Sequence, residues 1–276
     1  MPHAFLLHLT PTHKVANHPY LHQYTHGLFY HLLQTIDPEL SAQIHAAERN
    51  PFSLWATEQR DGGILLRVGI LDDTLFQPFI SVVLQESLAG LGLGQDSYRV
   101  ARVLATPEGH RDAGFLNWDD LLSAEPTDRL RLRFLTPTVF ATSKNDRRLY
   151  TPLPLPRLIL KSLLGALQRY SPLTYNRAEA AALALMFEEV VVTRHDVRTQ
   201  GHKAGKASLT GFVGNVDLRY TGSDRPARTA LARLGELAFY CGVGAKTPYG
   251  MGQVRPGAFA QSKPTSRTKR VRAGAA

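Results

Sequence analysis

The segment FSLWATEQRDGGILLRVGI, residues 52–70, contains the pattern on which the fold prediction rests. Its two ends, residues 52–57 and 63–70, are apolar runs of strand length. Residues 60–63 lie between them and supply the aspartate and the glycines that favour a turn. The segment therefore predicts two paired strands joined by a turn.

The elements on either side extend this hairpin into a known order. Upstream, residues 4–10 predict a short apolar strand and residues 19–35 a helix. Downstream, residues 75–88 predict a helix and residues 98–106 a closing strand. The order β-α-β-β-α-β is that of a ferredoxin-like unit.

The same order begins again at Arg129. The predicted elements are a strand at 130–135, a helix at 158–170, central strands at 190–195 and 209–220, a helix at 225–240 and a last strand near Gln253. The predicted fold class is therefore α+β, with two tandem ferredoxin-like (RRM-like, β-α-β-β-α-β) domains. We expect an N-terminal domain at residues 1–111, an acid-rich connector at 112–128, a C-terminal domain at 129–258 and a disordered basic tail at 259–276.

The chain carries an excess of positive charge. Its 276 residues include 32 lysines and arginines against 23 aspartates and glutamates, which gives a formal net charge of +9 and a pI near 9.8. Such an excess favours a polyanionic partner, nucleic acid first, or an anionic membrane surface. Because many basic proteins bind no nucleic acid, the charge alone leaves the partner open.

Cysteine content and apolar segments narrow the class of protein. Cys241 is the single cysteine, which excludes an intramolecular disulfide and a cysteine-based metal cluster and fits a reducing cytoplasm. No window approaches the roughly 18 uninterrupted apolar residues of a membrane helix. Residues 1–10 lack the basic start of a signal peptide and predict a strand. We therefore expect a cytoplasmic protein without membrane contact.

The most specific motif is GVGAKTPYGMG at residues 242–252, directly after a helical pattern. Its glycines permit positive φ angles and close approach of a ligand, and exposed amides beside Lys246 would suit phosphate. A P-loop is excluded because Ala245 separates Gly244 from Lys246. A dinucleotide fingerprint requires a glycine where Thr247 stands. A glycine helix cap followed by a turn remains the alternative.

The spacing G-x-G-x5-G-x-G in this motif resembles the glycine-rich loop of RAMP-superfamily proteins, specifically the CRISPR repeat endoribonucleases. Other segments are also similar to that family: GFVG at 211–214, FLTPT at 134–138, GLFY at 27–30, and the pairs Asp37-Pro38 and Ile44-His45. The resemblance covers nearly the whole chain. It implies a tandem ferredoxin-like fold with a C-terminal glycine-rich loop, in agreement with the order of elements.

The resemblance also implies a function. The family would make this chain a metal-independent endoribonuclease, without a cofactor, that binds CRISPR repeat RNA in the precursor transcript and cuts it into guide RNAs. Attack by the 2′-hydroxyl would leave a 2′,3′-cyclic phosphate and a 5′-hydroxyl. Proteins of a CRISPR effector complex are a further implied class of partner, and the sequence is compatible with a monomer or a homodimer.

RNA cleavage without metal needs a base for the 2′-hydroxyl, an acid for the leaving 5′-oxygen and a cation beside the phosphate. Histidine is the natural acid or base near neutral pH, and the chain has 11 of them. The resemblance implies that His45 transfers the proton and that Tyr30 is its partner. The lysine that the family often places after this histidine is missing, and Arg49 is the nearest cation. An arginine can neutralise a phosphate but cannot act as a base.

The helix predicted at 19–35 has an apolar stripe formed by Leu21, Leu28 and Leu32. Tyr30 follows Leu21 by nine residues, or about 900° of rotation at about 100° per residue. It therefore lies opposite the stripe, and we expect its side chain to face a cleft or water.

His18, His22 and His26 recur at a spacing of four on the same helix, and such a spacing can bind zinc. The glutamate of a metalloprotease motif is missing because Gln23 follows His22, and no carboxylate lies between residues 6 and 36. We predict no metal site and interpret these histidines as a polar helix face that contacts RNA.

The segment RHDVRTQGHKAGK at residues 194–206 is basic and predicts a loop before the strand at 209. It could form a hairpin that grips an RNA stem along its phosphates, or it could be a solvated loop. The predicted RNA-binding residues are Arg194, His202, Lys203 and Lys206 in this segment, and Gly242, Gly244, Lys246, Gly250 and Gly252 in the glycine-rich motif.

Two other classes of function stay open. One is a RAMP protein that holds guide RNA in an effector complex without cutting it, and the other is a metal-dependent phosphoesterase built on the helix histidines. The pair Tyr30 and His45 favours the endoribonuclease.

Overall fold

A computed structural model describes residues 1–15, 18–47, 49–145, 147–173, 175–204 and 207–257. The first half of the chain contains six strands and three helices in a mixed order. They are β1 (His3–Pro11), α1 (Leu21–Ile36), α2 (Pro38–Ala46), β2 (Phe52–Glu58), β3 (Ile64–Ile70), α3 (Asp73–Ala89), β4 (Leu91–Leu93), β5 (Asp96–Leu104) and β6 (Gly114–Phe115).

The second half contains six more strands and four more helices, together with two short 3₁₀ turns. They are α4 (Trp118–Leu122), β7 (Arg129–Thr138), β8 (Phe140–Lys144), β9 (Arg147–Thr151), α5 (Pro156–Tyr170), α6 (Arg177–Met186), a turn at Phe187–Glu189, β10 (Val190–Ala204), β11 (Ala207–Tyr220), α7 (Arg225–Cys241), a turn at Thr247–Tyr249 and β12 (Val254–Pro256).

The two larger sheets share one order of strands. The first sheet is β2-β3-β1-β5-β4, with β6 beside β1, and every neighbouring pair is antiparallel. The second is β10-β11-β7-β12, also antiparallel. In each sheet the first strand of the unit pairs with the third and the last, which is the ferredoxin-like arrangement. The predicted tandem ferredoxin-like fold is confirmed.

Each sheet has its own apolar core. In the first, Phe29 of α1 stacks on Phe52 of β2 with ring centroids 3.9 Å apart. Leu21, Leu28 and Leu32 are buried in the same core, so the predicted stripe on α1 is confirmed. Full burial of one such side chain contributes roughly 1.5–3 kcal/mol, and the stripe therefore holds α1 firmly in place.

The second core is built in the same way from different residues. Phe134 of β7 meets Phe212 of β11 edge to face, with ring centroids 4.7 Å apart. Leu163 of α5 and Leu234 of α7 are fully buried in this core. The two helices thus bury their apolar faces with the second sheet.

The end of α7 packs directly on the first sheet. Ser53 of β2 donates a hydrogen bond from Oγ to the carbonyl oxygen of Tyr240 (3.0 Å). At Gly69 of β3, a Cβ atom would lie 2.3 Å from the same oxygen, so a residue without a side chain is required there. This close approach fixes the position of residues 242–252, which follow α7.

A buried polar network holds the same junction. Arg67 of β3 is 3% exposed and donates to the carbonyl oxygens of Asp112 (2.9 Å) and Phe239 (2.6 Å). It also donates to Oε1 of Gln253 (3.1 Å). Arg255 of β12 forms an ion pair with both carboxylate oxygens of Asp112. Arg67, Asp112 and Arg255 therefore all have bonding partners at this junction.

The basic segment that we predicted as a loop is a strand. β10 continues to Ala204 and pairs with β11 along its length, from Val190 opposite Tyr220 to Ala204 opposite Ala207. The predicted end of the strand at residue 195 was wrong. Most side chains between 193 and 203 are exposed, so this stretch has no alternation of apolar and polar residues by which a strand could be recognised.

Other parts of the prediction have different outcomes. The stretch 112–128, predicted as a connector, contains β6 and α4, and the hairpin of β8 and β9 was not predicted. The basic tail lies outside the described residues, and the domain boundaries stay predictions. Among the described helices, none has the length and apolar character needed to cross a membrane.

Candidate active site

The cap of α2 determines where His45 lies. The Oδ1 atom of Asp37 accepts hydrogen bonds from the amides of Glu39 (2.9 Å) and Leu40 (3.0 Å). Pro38 occupies the first turn, where a missing amide proton costs nothing. α2 therefore starts directly after α1 and carries His45 in its last turn, beside α1.

Four side-chain rings form a contiguous group, which we call the ring cluster: His26, Tyr30, His45 and Tyr249. The edge-to-face pair Tyr30 and His45 has ring centroids 4.9 Å apart, and His26 lies 4.8 Å from Tyr30. His26 stacks on Tyr249 at 4.0 Å with the planes 17° apart. The cluster thus joins the two N-terminal helices to the loop that follows α7.

Tyr30 is half-buried and keeps its proton at neutral pH. Its hydroxyl donates a hydrogen bond to Oδ1 of Asn50 (3.2 Å). Burial, followed by the nearby Tyr249, raises the pKa of Tyr30 to about 12. The expectation that Tyr30 faces a cleft or water is only partly met, because the ring packs edge-on against Phe52 and His45. Its single O–H donor is occupied by the bond to Asn50.

His26 is neutral at physiological pH in the RNA-free protein. Burial, and then the charges of His45 and Lys246, lower the pKa of His26 to about 4. A neutral imidazole has one free nitrogen lone pair and can accept a proton. An anionic phosphate placed beside the ring would raise this pKa, since a negative charge favours the protonated form.

The loop of residues 242–252 brings Tyr249 and Lys246 to the cluster. Gly242 caps α7 with φ of 71°, and Lys246 has a left-handed conformation with φ of 62°. At Gly252, where φ is 67°, a Cβ atom would lie 2.0 Å from the carbonyl oxygen of Val243. The loop can therefore close on itself only with glycine at that position.

Several loop amides that we expected to be exposed are bonded within the protein. The expectation of exposed amides was wrong for Gly242, Gly244 and Gly252, and the alternative of a glycine helix cap holds for Gly242. The assignment of these glycines to RNA binding stays a prediction. The loop therefore contributes its shape and its lysine rather than these three donors. The bonds run from the amide of Gly242 to the Ala238 carbonyl (3.0 Å), from Gly244 to Ser162 Oγ (2.9 Å) and from Gly252 to the Pro137 carbonyl (3.1 Å).

Lys246 places a positive charge beside the ring cluster. Its Nζ atom lies 5.0 Å from the ring centroid of Tyr249, in a cation–π contact. Its charge also contributes to the lowered pKa of His26. Within the described residues it forms no ion pair with a carboxylate, so the charge is available to a phosphate.

Arg49 lies against α5. Its Nη1 atom donates to the carbonyl oxygen of Ser162 (3.1 Å), and the Tyr170 hydroxyl donates to the carbonyl oxygen of Arg49 (2.5 Å). The guanidinium covers Gly165, where a Cβ atom would lie 2.6 Å from Cζ. Across the described chain, no hydrogen bond or cation–π contact joins Arg49 to the ring cluster.

The tip of the β10–β11 hairpin contacts α1 and the loop. His202 donates from Nε2 to the carbonyl oxygen of Tyr249 (2.7 Å), and its ring lies 4.7 Å from that of His22. The Nζ atom of Lys203 lies 5.2 Å from the ring centroid of Tyr20. The hairpin thus fixes the backbone of Tyr249 from the side of α1.

The remaining predicted residues have different positions. Arg194 is exposed on β10, and Lys206 lies outside the described residues. Gly250 is buried, and a Cβ atom there would lie 2.5 Å from Nδ1 of His22. In the described ranges of the chain, no three side chains of His, Cys, Asp or Glu converge as metal ligands.

Comparisons with known proteins identify the family of the chain. The family model for CRISPR-associated endoribonuclease Cas6 matches residues 132–254. The chain is 45% identical to Thermus thermophilus Cas6 (TTHB231), with a TM-score of 0.88 to its product complex, and the match covers 93% of this chain and 100% of that one. This chain belongs to the Cas6 family.

More distant members of the Cas6 family show the same fold. A second Cas6 (TTHA0078), in its product complex, is 30% identical with a TM-score of 0.78 over 93% of this chain and 99% of that one. A Cas6-related protein from Pyrococcus furiosus is 13% identical with a TM-score of 0.60 over 94% and 100% of the two chains, which shows the fold alone. No match is found among curated proteins.

Three residues of this candidate site were missed by sequence reasoning. His26 was assigned to a polar helix face, and neither Tyr249 nor Asn50 was assigned a role. His26 precedes Tyr30 by one helical turn, a spacing that places two side chains on one face and that could have indicated their contact. Tyr249 gives no such local signal because it reaches the cluster only through tertiary packing.

Proposed function

We propose that this Cas6 family member binds CRISPR repeat RNA in the precursor transcript and cuts it without a metal ion. In this proposal the 2′-hydroxyl attacks the adjacent phosphorus, and the products carry a 2′,3′-cyclic phosphate and a 5′-hydroxyl. The observation that supports this best is the contact of His26, Tyr30 and His45 in one cluster beside Lys246. The cluster offers two histidines for proton transfer and a neutral tyrosine, and Lys246 provides a cation beside it.

The proton transfers can be assigned within the cluster. One histidine removes the 2′-hydroxyl proton as the P–O2′ bond forms, and the other gives a proton to O5′ as the P–O5′ bond breaks. We place the neutral His26 in the role of base, since its free lone pair can accept a proton, and His45 in the role of acid. Tyr30 keeps its proton, since its pKa is about 12, and can donate a hydrogen bond to a phosphate oxygen that replaces Oδ1 of Asn50 as its acceptor.

The charge that develops on the phosphate requires a cation. Lys246 is placed for this role because its ammonium group already influences His26. We assign Arg49 to contact with a neighbouring phosphate rather than to the reacting one, since its guanidinium lies over α5. This division agrees with the fact that an arginine holds a phosphate well but does not accept a proton.

The RNA-binding surface that we propose includes both C-terminal segments. Arg194 and Lys203 are exposed on the hairpin and can contact the phosphates of an RNA stem, whereas His202 and the loop glycines position Tyr249 and Lys246. Structures of related Cas6 proteins include product complexes and a substrate mimic complex. Contacts with effector proteins, and the choice between monomer and homodimer, stay predictions.

Substituted RNA and a chelator test this mechanism directly. A labelled panel of CRISPR repeats is incubated with the protein in EDTA, and cleavage should proceed at the rate seen without chelator. A 2′-deoxy nucleotide just upstream of the scissile phosphate should abolish cutting, whereas the same substitution several nucleotides away should not. The downstream product should accept a 5′-phosphate from a polynucleotide kinase, as a 5′-hydroxyl does. Loss of activity in EDTA would instead support the metal-dependent alternative.

A further inference from the structure

A large open cleft begins at the ring cluster and extends towards α5. Its volume is about 770 Å³, and Asn50 and Tyr249 belong to its lining. The rest of the lining comes from the loop of residues 242–252, from α5 and from the hairpin of β8 and β9. The cleft therefore adjoins the ring cluster at Tyr249 and contains Lys246, whereas His26, Tyr30 and His45 are not part of its lining.

Among the residues that the structure describes, the charged side chains that line the cleft are all cationic. Its charged side chains are Arg49, Arg148, Lys161 and Lys246, which come from four separate parts of the chain. None of the four forms an ion pair with a carboxylate in the described parts of the protein. Four cations without counter-charges repel one another, and a polyanion in the cleft would relieve that repulsion.

The contacts of these cations leave their charges available. Arg148 lies exposed on β9, with its Cζ atom 5.9 Å from the ring centroid of Tyr150. Lys161 is exposed on α5, one residue before the Ser162 carbonyl that holds Arg49. Arg49 has five N–H donors, and the bond to Ser162 uses one of them. Each of the three can therefore donate to an incoming phosphate oxygen.

The position of the cleft indicates which part of an RNA would occupy it. The hairpin of β10 and β11 reaches Tyr249 through the bond from His202, and none of its described residues lines the cleft. Two basic surfaces thus meet at Tyr249, one on the hairpin and one in the cleft. A strand whose scissile phosphate lies at the ring cluster would pass from one surface to the other.

We propose that this cleft binds the sugar–phosphate backbone of the single strand that flanks the scissile phosphate, with Arg148 and Lys161 as binding residues. The proposal rests on the proposed function, since it extends the path of the same RNA. The nucleotides in the cleft can be those on the 3′ side or those on the 5′ side of the cut. In both cases the cations contact the same sugar–phosphate backbone. Neither residue takes part in bond breaking.

The test compares binding of three non-cleavable RNAs. The starting RNA is a CRISPR repeat that the wild-type protein cuts, made with a 2′-deoxy nucleotide at the cut. A second RNA ends at the scissile phosphate and so lacks the 3′ flank, and a third lacks the unpaired nucleotides on the 5′ side. The variant is R148A/K161A. The control is R99A/R102A, which removes the same charge from two exposed arginines of β5.

The double variant should bind the full RNA roughly tenfold more weakly than wild type. Its plot of log K against log salt should be less steep by about 1.4, from about 0.7 for each of two phosphate contacts on a single strand. The difference in affinity between the double variant and wild type should vanish with one of the two shortened RNAs. The flank that this RNA lacks is the one that occupies the cleft. R148K/K161R should restore binding, and R99A/R102A should bind like wild type.

Several outcomes would overturn the proposal. R148A/K161A could lose the same affinity for all three RNAs or lose no affinity for any of them. The β5 control could also lose as much affinity as R148A/K161A. A thermal melt of each variant excludes misfolding as the cause. If wild-type protein neither binds nor cuts any repeat, the proposed function has failed. If wild type cuts and R148A/K161A binds all RNAs normally, only the cleft assignment has failed.

Discussion

At the scale of single residues, the chemistry depends on side chains whose environment differs from that of free amino acids. His26 and His22 lie on the same face of α1, yet they meet different partners: His26 stacks on Tyr249, and His22 faces His202. Burial is the largest cause of the lowered pKa of both histidines, and both values fall to about 4. The smaller causes differ: the charges of His45 and Lys246 act on His26, whereas His202 acts on His22.

Replacing His45 should affect the reaction more than binding. If His45 transfers a proton in the transition state, His45→Ala should slow single-turnover cleavage roughly 10² to 10⁴-fold while RNA affinity changes little. Tyr30→Phe should cost less, since the ring and its packing on Phe52 are retained. The exposed His31 on α1 provides a matched control, and His31→Ala should cut at the wild-type rate. A wild-type rate for His45→Ala would contradict the assignment.

Acid should destabilise the protein through its buried histidines. Burial lowers the pKa of His22 and of His26 to about 4 from the ordinary value of 6.5. The unfolded chain therefore takes up protons before the folded chain does. The free energy of unfolding should be fully retained above pH 6.5 and should fall as the pH drops from 6.5 towards 4. Urea unfolding at a series of pH values measures the slope.

A leucine at position 22 should remove part of that slope. The Nδ1 atom of His22 is buried and has no hydrogen-bond partner in the described structure, so His22→Leu leaves no polar partner unsatisfied. We expect unchanged or higher stability at neutral pH and a smaller loss in acid. His31→Leu, at an exposed position of the same helix, is the matched control. Identical slopes for wild type and His22→Leu would show that His22 is not responsible.

At the scale of elements, the loop of residues 242–252 shows how far sequence reasoning extends. The four glycines predicted positive φ angles, and all four have them. The acceptors of the amides could not be predicted, because Pro137 and Ser162 lie far away in the sequence. For the same reason, sequence placed Arg49 after His45 but could not show that α5 binds it.

The strand β10 was missed for a related reason. A strand is recognised when one face is buried, and the outer part of this hairpin has both faces exposed. Its structure depends on backbone pairing with β11, which no composition rule reveals. By contrast, the helix α1 could be predicted from its apolar stripe, because Leu21, Leu28 and Leu32 pack into a single core.

Glycine at position 250 should be essential for the site. Its φ is 83°, and a Cβ atom there would lie 2.5 Å from Nδ1 of His22. Gly250→Val should therefore displace the loop from α1, separate Tyr249 from His26 and slow cleavage while lowering stability. Gly201→Ala on β10 is the control, since nothing lies within 4 Å of a Cβ atom there. Cleavage rates must be paired with thermal melts, and wild-type behaviour in both would exclude this role.

At the scale of the whole molecule, both halves of the chain contribute to one site. The order of elements read from the sequence correctly predicted two ferredoxin-like units, because each unit repeats its own local pattern. Their docking could not be predicted in that way. It depends on Gly69 and Ser53 receiving the end of α7, and on Arg67 and Asp112 binding groups from both sheets.

Breaking the buried network at the junction should lower stability markedly. Asp112→Ala would leave Arg255 without its ion pair, and the loss of one partner from a buried pair costs about 3–5 kcal/mol. Urea unfolding should show a decrease in that range. Asp128→Ala removes a partly exposed pair with Arg219 (3.3 Å) and should change stability by less than about 1 kcal/mol. Equal effects of the two substitutions would contradict a special role for the junction.

The composite origin of the ring cluster has a consequence for protein synthesis. His26, Tyr30 and His45 leave the ribosome early, in a unit that can fold first. Lys246 and Tyr249 follow only after almost all of the second sheet has been made. A nascent chain therefore contains its histidines for most of translation without the cation and the stacking ring that complete the centre. A polypeptide released before the loop has been translated should therefore not cleave cellular transcripts.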